Sequence, residues 1–211
     1  MYELAHTDKD LLKAKLGIMG LQLYYQSWGI DYSDLTHRYV PRMENKGYGN
    51  SQVLMRDYSK LEDIETVLSE IADQVATKLR KHNVQCELIS ISLGFAEPDE
   101  RNRTHFSAQT RIDPTNRTQD LIDAVRYLVE QKWEGNALRN VGVRAGKIST
   151  AAAIQTSLFE QLDDNQVPGA LDRTIDAIRD RFGYKALTRG YSKTDGGTAI
   201  KRSGLVGGHH G

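Results

Sequence analysis

The sequence predicts an α+β fold: a split βαββαβ arrangement whose four-stranded antiparallel sheet carries two helices on one face, with short helices ahead of it and one helix behind. Two observations carry this. Between Lys46 and Ile148 the hydrophobic period switches in the order strand, helix, strand, strand, helix, strand. Both helical stretches repeat their apolar residues three and four apart, so each owns one stripe, and two stripes can cover one face of a sheet while the other stays open.

Each strand follows from alternation, because side chains two apart share a face. In the first, Val53 and Met55 point one way and Gln52, Leu54 and Arg56 the other. The second turns Ile89, Ile91, Leu93 and Phe95 inward, leaving Leu88, Ser90, Ser92 and Gly94 opposite. The third buries Phe106, Ala108, Thr110 and Ile112 and exposes His105, Ser107, Gln109 and Arg111. The fourth buries Val141, Val143 and Ala145 and exposes Asn140, Gly142, Arg144 and Gly146.

The first intervening helix has Ser59 and Glu62 at capping-box spacing, then Ile64, Val67, Leu68, Ile71, Val75 and Leu79. The second follows Thr118 and carries Leu121, Ile122, Val125, Leu128, Val129 and Trp133.

The residues named on the open face include no acid, and its flanks are cationic. Arg101, Arg103, Arg111 and Arg117 face only Asp113 in their stretch, and Arg139, Arg144 and Lys147 have no acid between them. Acids gather instead on the first helix and its approach, at Asp57, Glu62, Asp63, Glu65, Glu70 and Asp73. Such polarity suits a polyanionic partner. The plainer account is that antiparallel sheets commonly keep one solvated, polar face.

With 211 residues, the chain has room for one domain with extra elements or two small ones. Its 28 Lys and Arg balance 28 Asp and Glu, so any nucleic-acid contact must be local. The single cysteine, Cys86, excludes a disulfide framework and reads as a small buried hydrophobe in a reducing compartment. No apolar run reaches membrane-spanning length and the first ten residues lack signal-peptide character, so a cytoplasmic location is expected.

Ahead of the sandwich, Thr7 can cap a helix with Leu11, Leu12 and Leu16, stopped by Gly17; Ile18, Leu21, Tyr25 and Trp28 form a second stripe ending at Gly29. Asp31 to Asn50 reads as a linker around Pro41 and the turn cluster at Gly47 to Asn50. Behind the sandwich, Leu171, Ile175, Ile178 and Phe182 form a helical stripe closed by Gly183, and the remainder to Gly211 reads as a flexible, mildly basic tail. The divisions are thus 1–45, 46–150 and 151–211.

Several stretches together resemble the C-terminal part of Y-family DNA polymerases, in the UmuC-like (ImpB/MucB/SamB) DNA repair branch. Lys46 to Leu54 followed by Arg56-Asp-Tyr58 looks like the linker and first strand of the little-finger domain, and Leu138 to Arg144 like its last strand. Ile175 to Gly183 and Leu205 to Gly211 are similar to the tail, and Gly17 to Asp31 to the end of the thumb. The resemblance implies a little finger that grips primer-template DNA during lesion bypass in DNA-damage repair of the SOS type. By position it implies DNA contacts at Lys46, Arg56, Gln109, Arg111, Arg139, Arg144 and Lys147. Contacts of that kind hold DNA and do not read its sequence.

Polymerisation in this family uses two metal ions on palm carboxylates. The palm has no counterpart here, so this chain alone is expected to be inactive and to bind no cofactor; magnesium would belong to a palm in an N-terminal polymerase half. Asp8 and Asp10 are the one Asp-x-Asp, and they sit at a helix start, where acids suit the dipole.

Gln155-Thr-Ser157-Leu158-Phe159 resembles the peptide by which bacterial polymerases bind the sliding clamp, with Leu158 and Phe159 entering an apolar pocket and Gln155 anchoring. The alternative is a helical stripe of Ile154, Leu158, Phe159 and Leu162. Two functions therefore stand beside each other: a DNA-holding portion of a translesion polymerase, and a free-standing module that binds the clamp or a partner polymerase without catalysis. An unrelated enzyme on the same frame finds no supporting nucleophile or phosphate loop. His6, His37, His82, His209 and His210 have no constellation around them.

Overall fold

The computed structural model describes residues 2–34, 36, 47–150 and 169–204, which fall in two compact units, Met1–Pro41 and Arg42–Gly211. The first holds α1 (Tyr2–His6), α2 (Lys9–Leu16) and α3 (Ile18–Ser27). Asp8, not Thr7, caps α2: its Oδ1 accepts from the Asp10 and Leu11 amides at 2.7 and 3.2 Å. Only the residue directly before the first turn can reach those orphan donors, and the Thr7 hydroxyl donates back to the Glu3 carbonyl instead. Gly17, at φ 64°, ends α2 as expected.

In the second unit β1 (Tyr48–Tyr58), α4 (Leu61–Lys81), β2 (Val84–Phe95), β3 (His105–Thr115), α5 (Thr118–Lys132) and β4 (Leu138–Thr150) build the predicted sandwich. Strand order is β1-β4-β2-β3 with every neighbouring pair antiparallel. The six stripe residues of α4 are wholly buried, and five of the six named on α5 join them, with Trp133 packed at the edge. They meet Leu54, Ile89, Ile91, Leu93, Val141, Val143 and Ala145 from the sheet. β3 contributes less, its Phe106, Ala108 and Ile112 being only partly covered, since it is an edge strand. Cys86 is fully buried, and burial pushes its thiol up to about 12.

The anticipated capping box is absent. Lys60 occupies the cap position of α4 with no side-chain bond, so Ser59 lies one residue too early. α5 is capped from a distance: the Thr118 amide donates to Asp172 Oδ2 at 2.9 Å.

Beyond the sandwich, α6 (Ala170–Phe182), 3-10 turns at Tyr184–Ala186 and Gly190–Lys193, and α7 (Ala199–Arg202) pack on the outer side of α4. The stretch expected to be a loose tail is thus ordered through Gly204, because α4 offers it buried partners. Glu70 Oε2 accepts from the Thr198 and Ala199 amides and the Thr198 hydroxyl, each at 2.9 Å. Tyr58 donates to the Gly196 carbonyl at 3.1 Å. Residues 205–211 lie outside the described residues.

α6 is docked by a mixed side, with the polar Asp172, Asp176 and Arg179 beside the half-buried Ile175 and Ile178. Arg80 binds Asp176 through Nε at 2.6 Å and Nη2 at 3.0 Å, and its Nη1 also donates to the Asn116 carbonyl at 2.8 Å. Leu171 and Phe182, the ends of the apolar stripe, are 71% and 65% exposed. No helix among the described residues is long and apolar enough to cross a membrane.

Candidate nucleic-acid interface

The register arranges the uncovered face of the sheet in rows running across the strands. Ser51 pairs with Gly142, Gly142 with Ser92, and Ser92 with Ser107, so one whole row carries only hydrogen or a hydroxymethyl group. Gly142 keeps that row low: a Cβ there would stand 2.7 Å from Ser92 Oγ and 3.1 Å from Ser51 Cβ. On one side the next row is Gly49, Arg144, Ser90 and Gln109, followed by Leu88 against Arg111. On the other side it is Val53, Asn140, Gly94 and His105. The result is a shallow trough of small residues with guanidinium and amide groups standing beside it. Such a surface lets a smooth polyanionic strand approach the backbone while cations reach its phosphates.

Of the residues singled out in the sequence, Gln109, Arg111 and Arg144 share this face and are exposed. Lys147 is exposed just beyond Gly146, at φ 49°. Arg139 lies at the other end of β4, its Nε 2.7 Å from Asp57 Oδ1. Arg56 stands on the helix side of β1, where Nη2 meets Asp63 Oδ2 at 3.1 Å and the Asp195 carbonyl at 3.4 Å. That follows from parity: Leu54 and Tyr58 are buried, and Arg56 lies between them in the same alternation. Lys46, Gln155, Ser157, Leu158 and Phe159, and with them the alternative stripe through Ile154 and Leu162, lie outside the described residues.

The acid-free expectation holds in the regular rows and fails at the margins. Asp57 brings a carboxylate to the end of β1, answered by Arg139, and Asp113 lies where the β2–β3 register becomes irregular. Ser51 and Gly49 extend the face onto β1, beyond the residues that alternation assigns. The part of Ser51 in the small-residue row depends on which β4 residue it faces, and alternation within one strand does not say that. Among the described residues no three His, Cys, Asp or Glu side chains converge as a metal site.

The split sandwich with one open face defines a class, and comparison with known proteins gives it a family. The impB/mucB/samB family C-terminal domain matches residues 45–158, more than half of the chain, and the chain belongs to that family. It is 38% identical over 208 residues to the Bacillus subtilis (strain 168) protein carrying the name UV-damage repair protein UvrX, covering 98% of this chain and 49% of that one. It is 34% identical over 209 residues to DNA polymerase IV 2 of the same organism, again 98% of this chain and 49% of the relative. The chain thus spans about half the length of these curated relatives. A solved complex of a beta-clamp processivity factor with the little finger domain of PolIV aligns with 55% of this chain and all of that chain, at TM-score 0.40 and 15% identity, a likeness too low to carry weight.

Proposed function

We propose that this chain is the DNA-holding portion of a cytoplasmic translesion polymerase of the Y family, gripping primer-template phosphates during lesion bypass without reading sequence. The observation that carries this is the row Ser51, Gly142, Ser92, Ser107 with Arg144, Gln109 and Arg111 beside it. A face with small side chains and flanking guanidinium groups offers phosphate contacts and few hydrogen-bonding groups for base edges, which suits a damaged template. Membership of the family supports the same reading. Nucleotidyl transfer is assigned to a palm in an N-terminal half, where magnesium would activate the primer hydroxyl and stabilise the leaving phosphates.

The test is fluorescence anisotropy on a primer-template duplex at low and moderate salt. Sequence-independent binding that falls steeply with salt is expected, because each phosphate contact releases counterions. An unchanged signal in the double variant Arg111→Ala, Arg144→Ala would reject the assigned surface.

A second reading rests on the sequence Gln155-Thr-Ser157-Leu158-Phe159, which follows β4 within a few residues. It assigns these residues to a sliding-clamp pocket, with or without DNA on the sheet. A clamp pull-down comparing Phe159→Ala decides it, and equal retention of both proteins removes the motif from the account.

A further inference from the structure

β1 is an edge strand of 11 residues, and among the described residues no backbone group from another element pairs with its outer side. Free N–H and C=O groups in such a row template a further strand, so folded proteins usually guard them with charge, proline or a bulge. The opposite edge, β3, has such guards in Arg111, Asp113 and Pro114. On β1 the charges Arg56 and Asp57 and a register irregularity are confined to the far end, after Val53, and the strand presents Val53 and Met55, 68% and 65% exposed. Lys78 Nζ occupies the Gly49 carbonyl at 3.0 Å, close to the start of the strand only.

A cavity of about 870 Å³ runs along this edge, between β1 and the segment around α7. Leu54, Tyr184 and Ala199 line it together with Lys201 and Arg202 and the acid Asp195, while the third cation, Arg56, is already answered by Asp63 at 3.1 Å. Arg202 is turned to the Gln52 side-chain oxygen. Lys201 is exposed and has no ion-pair partner among the described residues. Apolar walls with a cationic balance match a chain that alternates apolar and acidic side chains. A bare phosphate backbone would leave the apolar walls unused.

We propose that the outer edge of β1 takes up an extended acidic peptide strand from a partner protein, as a fifth strand of the sheet. Main-chain hydrogen bonds supply the affinity, and alternate side chains enter the cavity and lie on Val53 and Met55. Acidic residues of the partner meet Lys201. This surface adjoins the trough at Val53 but uses the outer edge of β1 and the cavity, so it does not depend on DNA binding to the open face.

The probe is a fluorescein-labelled octapeptide of alternating valine and aspartate, titrated into the full chain and followed by anisotropy. Saturable binding is expected, with protection of the amides of residues 51–56 from hydrogen exchange. Lys201→Glu weakens it by about tenfold or more, because a like-charge contact is worse than a lost one. Met55→Glu weakens it as well. Both positions are exposed, and circular dichroism checks that each variant is folded. Absence of saturable binding, equal affinity for a valine-lysine octapeptide, or indifference to Lys201→Glu overturns the proposal. So does oligothymidylate binding in a Lys201-dependent manner while the acidic peptide does not.

Discussion

Arg179 on α6 and Asp73 on α4 form an ion pair out of solvent: Nη1 lies 2.7 Å from Oδ2, with side-chain exposures of 9% and 1%. Arg189 approaches the other carboxylate oxygen at 3.4 Å, so one buried aspartate answers two guanidinium groups from the C-terminal segment. Charges held in this way are costly to strand, since removing one partner leaves the other uncompensated.

Asp73→Ala should therefore destabilise the docked segment by about 3–5 kcal/mol, the usual size for a broken buried pair. Residues 169–204 lie outside the sandwich and touch its core only through Tyr191 and the Tyr58–Gly196 bond among the contacts described, so the loss is expected locally. Hydrogen exchange should accelerate across α6 and α7 while β2 stays protected. Equal acceleration in β2 would mean that the segment is integral to the core.

The exposure of both ends of the α6 stripe, with Ile175 and Ile178 half-buried between them, gives a complementary expectation. Leu171→Ser and Phe182→Ser should each change stability by no more than about 0.5 kcal/mol, because exposed positions lose little on substitution. Arg80→Ala, which removes the paired bonds to Asp176 and the bond to Asn116, should cost several times as much. Urea midpoints of the three variants test the ordering.

On the open face, Arg111→Ala with Arg144→Ala should lower the slope of log affinity against log salt by about 2, as each lost phosphate contact returns close to one counterion. Gly142→Glu puts a carboxylate in the middle of the small-residue row. Duplex affinity should fall sharply in that variant, and duplexes of unrelated sequence should lose it equally.

Alkaline pH should weaken the fold. Burial raises the Cys86 thiol from its ordinary value near 9 to about 12, and burial likewise raises Tyr58, Tyr184 and Tyr191. A raised acid keeps its proton longer in the folded chain than in the unfolded one. The stability it contributes is present below the unfolded value and is lost as pH climbs through the folded value. For Cys86 the window runs from about 9 to about 12. Thermal melts should decline across it, less steeply in Cys86→Ala, and the thiol should resist alkylation at neutral pH.

Much of the sandwich was legible from alternation and helical spacing. The stripes Ile64 to Leu79 and Leu121 to Val129 were named from period alone and are buried. Parity also put Gln109, Arg111 and Arg144 on one side of the sheet, but it left open which side of β1 faces the core, so Arg56, counted among the DNA contacts by resemblance, turned out to stand on the helix side against Asp63. The misses come from long-range partners. Glu70 and Asp73 stand in the sequence simply among the acids gathered on the first helix, yet both are buried beneath a segment more than a hundred residues later. The sequence 184–204 lacks an apolar period, so nothing local announced that carboxylates on α4 would hold it in place.

Residue order alone established the strands, the two packed helices and the sharing of faces, because these depend on a repeat length that neighbouring residues carry themselves. It also established that α6 has an apolar stripe. Which side of α6 meets the protein was decided only in three dimensions, since amphipathicity groups residues on a face without naming the surface opposite. There Arg80 met Asp172 and Asp176, and Asp73 met Arg179, so these polar groups face inward beside the half-buried Ile175 and Ile178.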